Sequence, residues 1–334
     1  MNPLLATVVF VIVLFVYIHI YHNVKVSNDL EVYEVESPSK DRLEEICDIR
    51  QPALFILDME ELKQTVNRGA VTQRYGAFDV NVRHNTGSSD SEDHPNISSS
   101  NSTSSQLFVP LALGAANDML GSDNAGGIFS ERNGDFLAET GLVNQLRHSD
   151  VMLRPHMVSK CSYDWMFGSD GTQTPFRYEL DYRTYLTVTE GSVTLKLAPP
   201  KNSKYLYVDK DYVNFEFRSR VDPWEPQEHY KTDFGKVKCL ELVLTPGKVL
   251  YIPAYWFYSI EFHSGASLCK FSYQTYMGSL SVIHYHTLSF LQRNNTRDKL
   301  AKSVQNNETP VLNEETPILS ESAADDTTEG NSVV

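Results

Sequence analysis

Residues 244–262 read LTPGKVLYIPAYWFYSIEF. Pro246-Gly247 separates two apolar runs rich in β-branched and aromatic side chains, the pattern of strand, turn, strand. The run SLCKFSYQTY (267–276) follows as a third strand. Upstream, YLTVTEGSVTLKLAPP (185–200) repeats the design around Glu190-Gly191. There Leu186 and Val188 share one face, as do Val193, Leu195 and Leu197, with threonines opposite. Further out, GAFDVNVRH alternates Phe78, Val80 and Val82 at period two. Asp58 and Glu61 have the spacing of a capping box opening a short helix. The stretch NGDFLAETGLVNQLRH puts Phe136, Leu137, Leu142, Val143 and Leu146 on one helical stripe, interrupted by Gly141. Many short antiparallel strands with Gly/Pro turns predict a mainly β domain, a sandwich or a closed barrel, with flanking helices.

The 334 residues are 41% hydrophobic and 22% charged, which excludes a disordered chain, a collagen and a coiled coil. With 29 Lys+Arg against 43 Asp+Glu the net charge is −14, so no nucleic-acid partner is expected. Cys47, Cys161, Cys239 and Cys269 lie far apart with no CxxC pair, and read as free thiols.

Leu4 to Ile18 carries no charge. With its flanks it is long enough for a helix crossing a hydrocarbon core of ~30 Å. Residues 1–22 are therefore read as a single-pass membrane anchor. A cleaved signal peptide would need a basic leader and small residues where YIHIYH stands. Lys25 after the span leans toward a cytosolic body, whereas sequons at Asn96, Asn101, Asn294 and Asn307 would be used only in a lumen, so the side stays open. Between anchor and tail, 23–292 forms the folded domain. Residues 85–106, almost free of apolar side chains, read as a disordered loop inside it. The tail, 293–334, is acidic and read as unfolded, and its NETPVL and EETPIL repeat is either solvated or a short docking motif.

The stretch 244–262 resembles the jumonji (JmjC)-type cupin-like family, in which a Pro-Gly turn, an apolar strand and a P-x-x-W motif precede the distal metal ligand. Trp165 and Gly168 ahead of Thr174-Pro175, the stretch TEGSVTLKLAPPKNSKYLY, and VDPWEPQEHYKTDFGKVKCLELVLTPG follow the family's order. The resemblance covers roughly Leu107 to Tyr276 and implies a double-stranded β-helix barrel. The anchor, the acidic tail and FRYE at 176–179 further resemble membrane-anchored cupin-like proteins of large DNA viruses.

In the family an H-x-[DE]…H triad presents two imidazoles and a carboxylate to Fe(II), and 2-oxoglutarate completes the site. The matching positions here are Arg177, Glu179 and Tyr258. Arginine has no lone pair to give, and tyrosine is a poor substitute for imidazole on Fe(II). One ligand of three is retained. The co-substrate side would draw on Thr174, Arg183 or Lys196, because the family's basic position falls near Val193. Arg177 and Glu179, two apart on a strand, are expected to pair with each other, the guanidinium standing in for the cation and the Tyr258 hydroxyl filling part of the distal histidine's place. Other motifs are weaker. His148-Ser149-Asp150 follows a helical stripe, where side chains two apart diverge by about 200°. His284 and His286 would share a strand face but lack a third ligand, and His156 beside Pro155 reads as structural. The sequence thus predicts a membrane-anchored cupin-like binding or scaffold module with no metal or cofactor and an unknown protein partner. The alternative is an atypical Fe(II)/2-oxoglutarate-dependent protein hydroxylase.

Overall fold

A computed structural model describes residues 3–85, 108–123 and 126–294. The expected loop at 85–106 and the tail 293–334 fall almost wholly outside these residues. Met1–Phe290 forms one compact unit. Two sheets make up its centre. The larger contains β1 (Tyr33–Val35), β2 (Ala53–Ile56), β3 (Asp79–His84), β4 (Val109–Ala112), β5 (Ile128–Ser130), β6 (Val158–Gly168), β8 (Arg183–Glu190), β13 (Lys248–Pro253) and β15 (Ser267–Thr275). Its strand order is β1-β2-β13-β8-β15-β6-β5-β3-β4. The smaller contains β7 (Arg177–Tyr178), β9 (Val193–Ala198), β10 (Val208–Asp211), β11 (Glu216–Ser219), β12 (Leu240–Leu244) and β14 (Phe257–Phe262), in the order β10-β11-β7-β14-β9-β12.

The turns that sequence alone marks out carry the chain from one sheet to the other. β8 pairs with β13 and β15, while β9, two residues further on, pairs with β12 and β14. Across Pro246-Gly247 the chain passes from β12 in the small sheet to β13 in the large one. These are therefore crossovers and not flat hairpins, and they carry the chain back and forth between the two sheets. The crossover at Gly191 needs glycine, since φ is +70° and a Cβ would lie 2.8 Å from the Ala266 Cα.

Alternation divides each strand between two environments. Leu186, Val188, Leu195, Leu197, Leu250, Ile260 and Leu268 fill the space between the sheets. On the outer face of the large sheet, Tyr185, Tyr251 and Phe271 pack with Leu43, Ile46 and Cys47 of α2 (Lys40–Ile49) and with Leu62 of α3 (Glu60–Thr65). α4 (Arg68–Tyr75), α5 (Leu113–Ser122), α6 (Gly134–Glu139) and α7 (Leu142–Ser149) complete this layer. The predicted stripe is thus two helices, broken where Gly141 adopts φ +75°. Val80 and Val82 are buried as expected, but Phe78 precedes β3 and is exposed. The capping box is replaced by a simpler contact, Asp58 accepting from the Glu60 amide at 3.1 Å, and α3 has no side-chain cap. α8 (Glu228–Phe234) lies in the connection to β12. All four cysteines are free, Cys47 and Cys269 buried and the others half-buried.

α1 (Pro3–Val24) is 22 residues long and buries none of its side chains. By length and composition it can cross a membrane, a test that a signal sequence also passes. Its end does not run into a slack linker. Arg50, the C-cap of α2 in the left-handed region, donates from Nη1 to the carbonyls of His22 (2.5 Å), Asn23 (2.7 Å) and Lys25 (3.2 Å). The Trp256 indole donates to the Ser27 carbonyl, and α1 packs on α9 (Tyr276–Ser281).

Candidate functional site

β7 places Arg177 opposite Tyr258 of β14, so two of the positions matched to the metal motif are neighbours across the small sheet. Arg177 does not pair with Glu179. Its guanidinium makes two parallel hydrogen bonds to Glu131, at 2.8 and 2.5 Å, and lies 5.7 Å from the centre of the Tyr258 ring. Glu131, just beyond β5, also accepts from Arg83 at 2.7 Å. Arg83 reaches on to Glu216 at 3.1 Å, which Arg132 approaches at 3.4 Å. Five charged groups thereby form an alternating chain, four of them buried and Arg132 at its half-exposed end. Burial opposes ionisation of Glu131, but Arg177 and Arg83 outweigh it and hold the carboxyl far below the usual range.

Glu179 has a different cation. Lys270 of β15 donates to its Oε1 at 2.7 Å, and the Tyr258 hydroxyl donates to the same oxygen at 2.6 Å. The Thr184 hydroxyl is 3.5 Å from the other oxygen. Burial pushes the Glu179 carboxyl up, yet the Lys270 ammonium and then Arg177 bring it below its ordinary value. Lys270 is raised despite its burial, chiefly by Glu179. Tyr258 is raised by burial first and by Glu179 second. Asp181 has no such cation in contact, and burial with the nearby Glu179 pushes it up to about 6. Contrary to the sequence-based expectation, the cation beside Glu179 is a lysine from the last strand and not Arg177, because Glu131 holds the arginine through two hydrogen bonds.

Arg183 and Lys196 are not at this interior. Arg183 shares the outer face of β8 with Tyr185 and pairs with Glu44 of α2 at 2.7 Å. Lys196 alternates with the inward Leu195 and Leu197, and its ammonium lies 4.3 Å from the Trp224 ring centre. The Thr174 hydroxyl accepts from the Ile260 amide at 2.9 Å, and its carbonyl accepts from Ser259 at 2.6 Å. Asp150 accepts from the hydroxyls of Tyr163 and Tyr273, and His148 and His156 are exposed. His284 and His286 lie in a helix, not a strand, so they do not share a face.

Sequence reasoning missed Lys270, Glu131, Arg83 and Glu216. For Lys270 a signal existed. It is the single charge within SLCKFSYQTY and has the parity of the inward Leu268, opposite the outward Cys269 and Phe271. For the others the sequence offers no mark, because their partners lie at least 46 residues away.

As donors, Arg177, Glu179 and Tyr258 do not fit an iron site. The first offers no lone pair, and the nearer Glu179 oxygen is already taken by an ammonium and a hydroxyl.

The family model described as "Cupin-like domain" matches residues 25–278. "JmjC domain-containing protein D" of Dictyostelium discoideum is 34% identical over 93 residues, which are 28% of this chain. The match spans 20% of that protein's length.

Proposed function

We propose, from the premise that this chain belongs to the cupin-like domain family, that it is a membrane-anchored binding or scaffold module without metal chemistry. The observation that carries the reading is the Lys270–Glu179 ion pair, closed by the Tyr258 hydroxyl, at the family's metal position. A lysine cation beside the retained carboxylate supplies the charge that a metal would supply, and it brings no open coordination position. α1 would hold the body at a membrane, and its partner would be a protein. The likeness to membrane-anchored cupin-like proteins of large DNA viruses belongs to the same reading.

Iron binding tests it. The detergent-solubilised full chain, reconstituted anaerobically with Fe(II), is expected to retain no stoichiometric iron after desalting. One EDTA-removable Fe(II) per chain would overturn the proposal. It would also favour the second reading, an atypical Fe(II)/2-oxoglutarate-dependent hydroxylase, for which the retained Glu179 and the partial likeness to a JmjC domain-containing protein speak.

A further inference from the structure

The joint between α1 and the body sets α9 next to the candidate span. Arg50 ties down three backbone carbonyls within about one turn, those of His22, Asn23 and Lys25, and the Ser27 amide donates to the Arg50 carbonyl at 3.2 Å. α1 also packs directly on α9. Around α9 three apolar side chains stand in solvent: Met157 (71% exposed), Tyr276 (63%) and Ile283 (56%). Tyr276 opens α9 and its amide donates to the Met157 carbonyl, so the first two are neighbours; Ile283 follows α9 by two residues.

A single exposed apolar residue needs no explanation. Three beside the element that receives a candidate span, one on α9 and two flanking it, do. We propose that Met157, Tyr276 and Ile283 form a second, peripheral contact with the lipid surface, a shallow footing beside the point where α1 leaves the body. The inference rests on the reading of α1 as a membrane anchor. The occupant is a neutral, zwitterionic lipid interface. Tyrosine, with an apolar ring and a polar tip, suits the headgroup boundary, and methionine and isoleucine suit the acyl edge. With a net charge of −14 the chain as a whole is not drawn to anionic lipid, so the contact is assigned to apolar insertion.

The test uses the full chain in phosphatidylcholine bilayers, with Cys161 and Cys239 replaced by serine and a nitroxide placed singly at Met157→Cys, Tyr276→Cys or Ile283→Cys. Val13→Cys in α1 and the exposed Val243→Cys in β12 serve as lipid and water references. Collision with oxygen and with a water-soluble nickel complex reads depth. At least two of the three labels are expected to show an oxygen-to-nickel ratio several-fold above that at 243, unchanged by adding phosphatidylserine. Water-like ratios at all three with a lipid-like ratio at 13 would overturn the footing and leave the anchor standing. A water-like ratio at 13 would overturn the anchor and with it this inference. Dipolar broadening between copies at 276 would assign the patch to a second chain and also overturn it.

Discussion

Glu179 and Lys270 have side chains only 20% and 16% exposed, so splitting them strands a charge that water cannot fully rescue. Lys270→Met should cost about 2–3 kcal/mol in urea unfolding, and adding Glu179→Gln should restore most of it. The matching cycle on Arg177 and Glu131 should show strong coupling, and one on Arg177 and Glu179 much less; the reverse order would refute the assignment of partners. Asp181 gives a separate, pH-dependent signature. Its carboxyl titrates near 6 in the folded chain against roughly 4 unfolded, so folding takes up a proton between those values. The cost of holding it ionised is absent below pH ~4 and complete above pH ~6. Asp181→Asn should therefore stabilise by about 1–2 kcal/mol at pH 8, allowing for its partial exposure, and by nothing at pH 4. An equal gain at both would contradict it. At this scale the sequence was half legible. Arg177, Glu179 and Tyr258 sit together as their positions implied, because strand parity is local. Which acid takes which base depended on Glu131 and Lys270, brought in from strands far along the chain.

The turns show the same division at the scale of elements. Glu190-Gly191 and Pro246-Gly247 were readable as turns from residue type alone, and the strands they bound appear where alternation put them. That each turn crosses between sheets was not readable, since loops of two and three residues suit a hairpin equally well. The crossover has a cost that a hairpin would not: the neighbouring strand end at Ala266 closes over Gly191. Gly191→Ala should destabilise the domain by about 1–3 kcal/mol, combining a positive φ with a backbone clash. Gly265→Ala, with a similar φ of +71° but open space around its Cβ, should cost less. Comparing the two by thermal unfolding separates strain from clash, and equal losses would remove the clash.

For the whole molecule, the family and the barrel were legible because the motif around Pro246, Gly247 and Trp256 is contiguous, whereas the interior charges are distributed over both sheets. The full chain should partition with membranes and require detergent for extraction. Release by high salt or carbonate would show that α1 does not span. The chain of alternating charges also has a consequence for how such a sequence can change. Replacing Arg177 with the histidine of the family's metal motif would leave Glu131 sharing Arg83 with Glu216. Placing a histidine at 258 would remove the hydroxyl that serves Glu179, while Lys270 would still occupy the carboxylate. No single substitution rebuilds a metal site, and each taken alone weakens the fold. The interior is epistatic: the effect of a change at any one member depends on the partners it leaves behind.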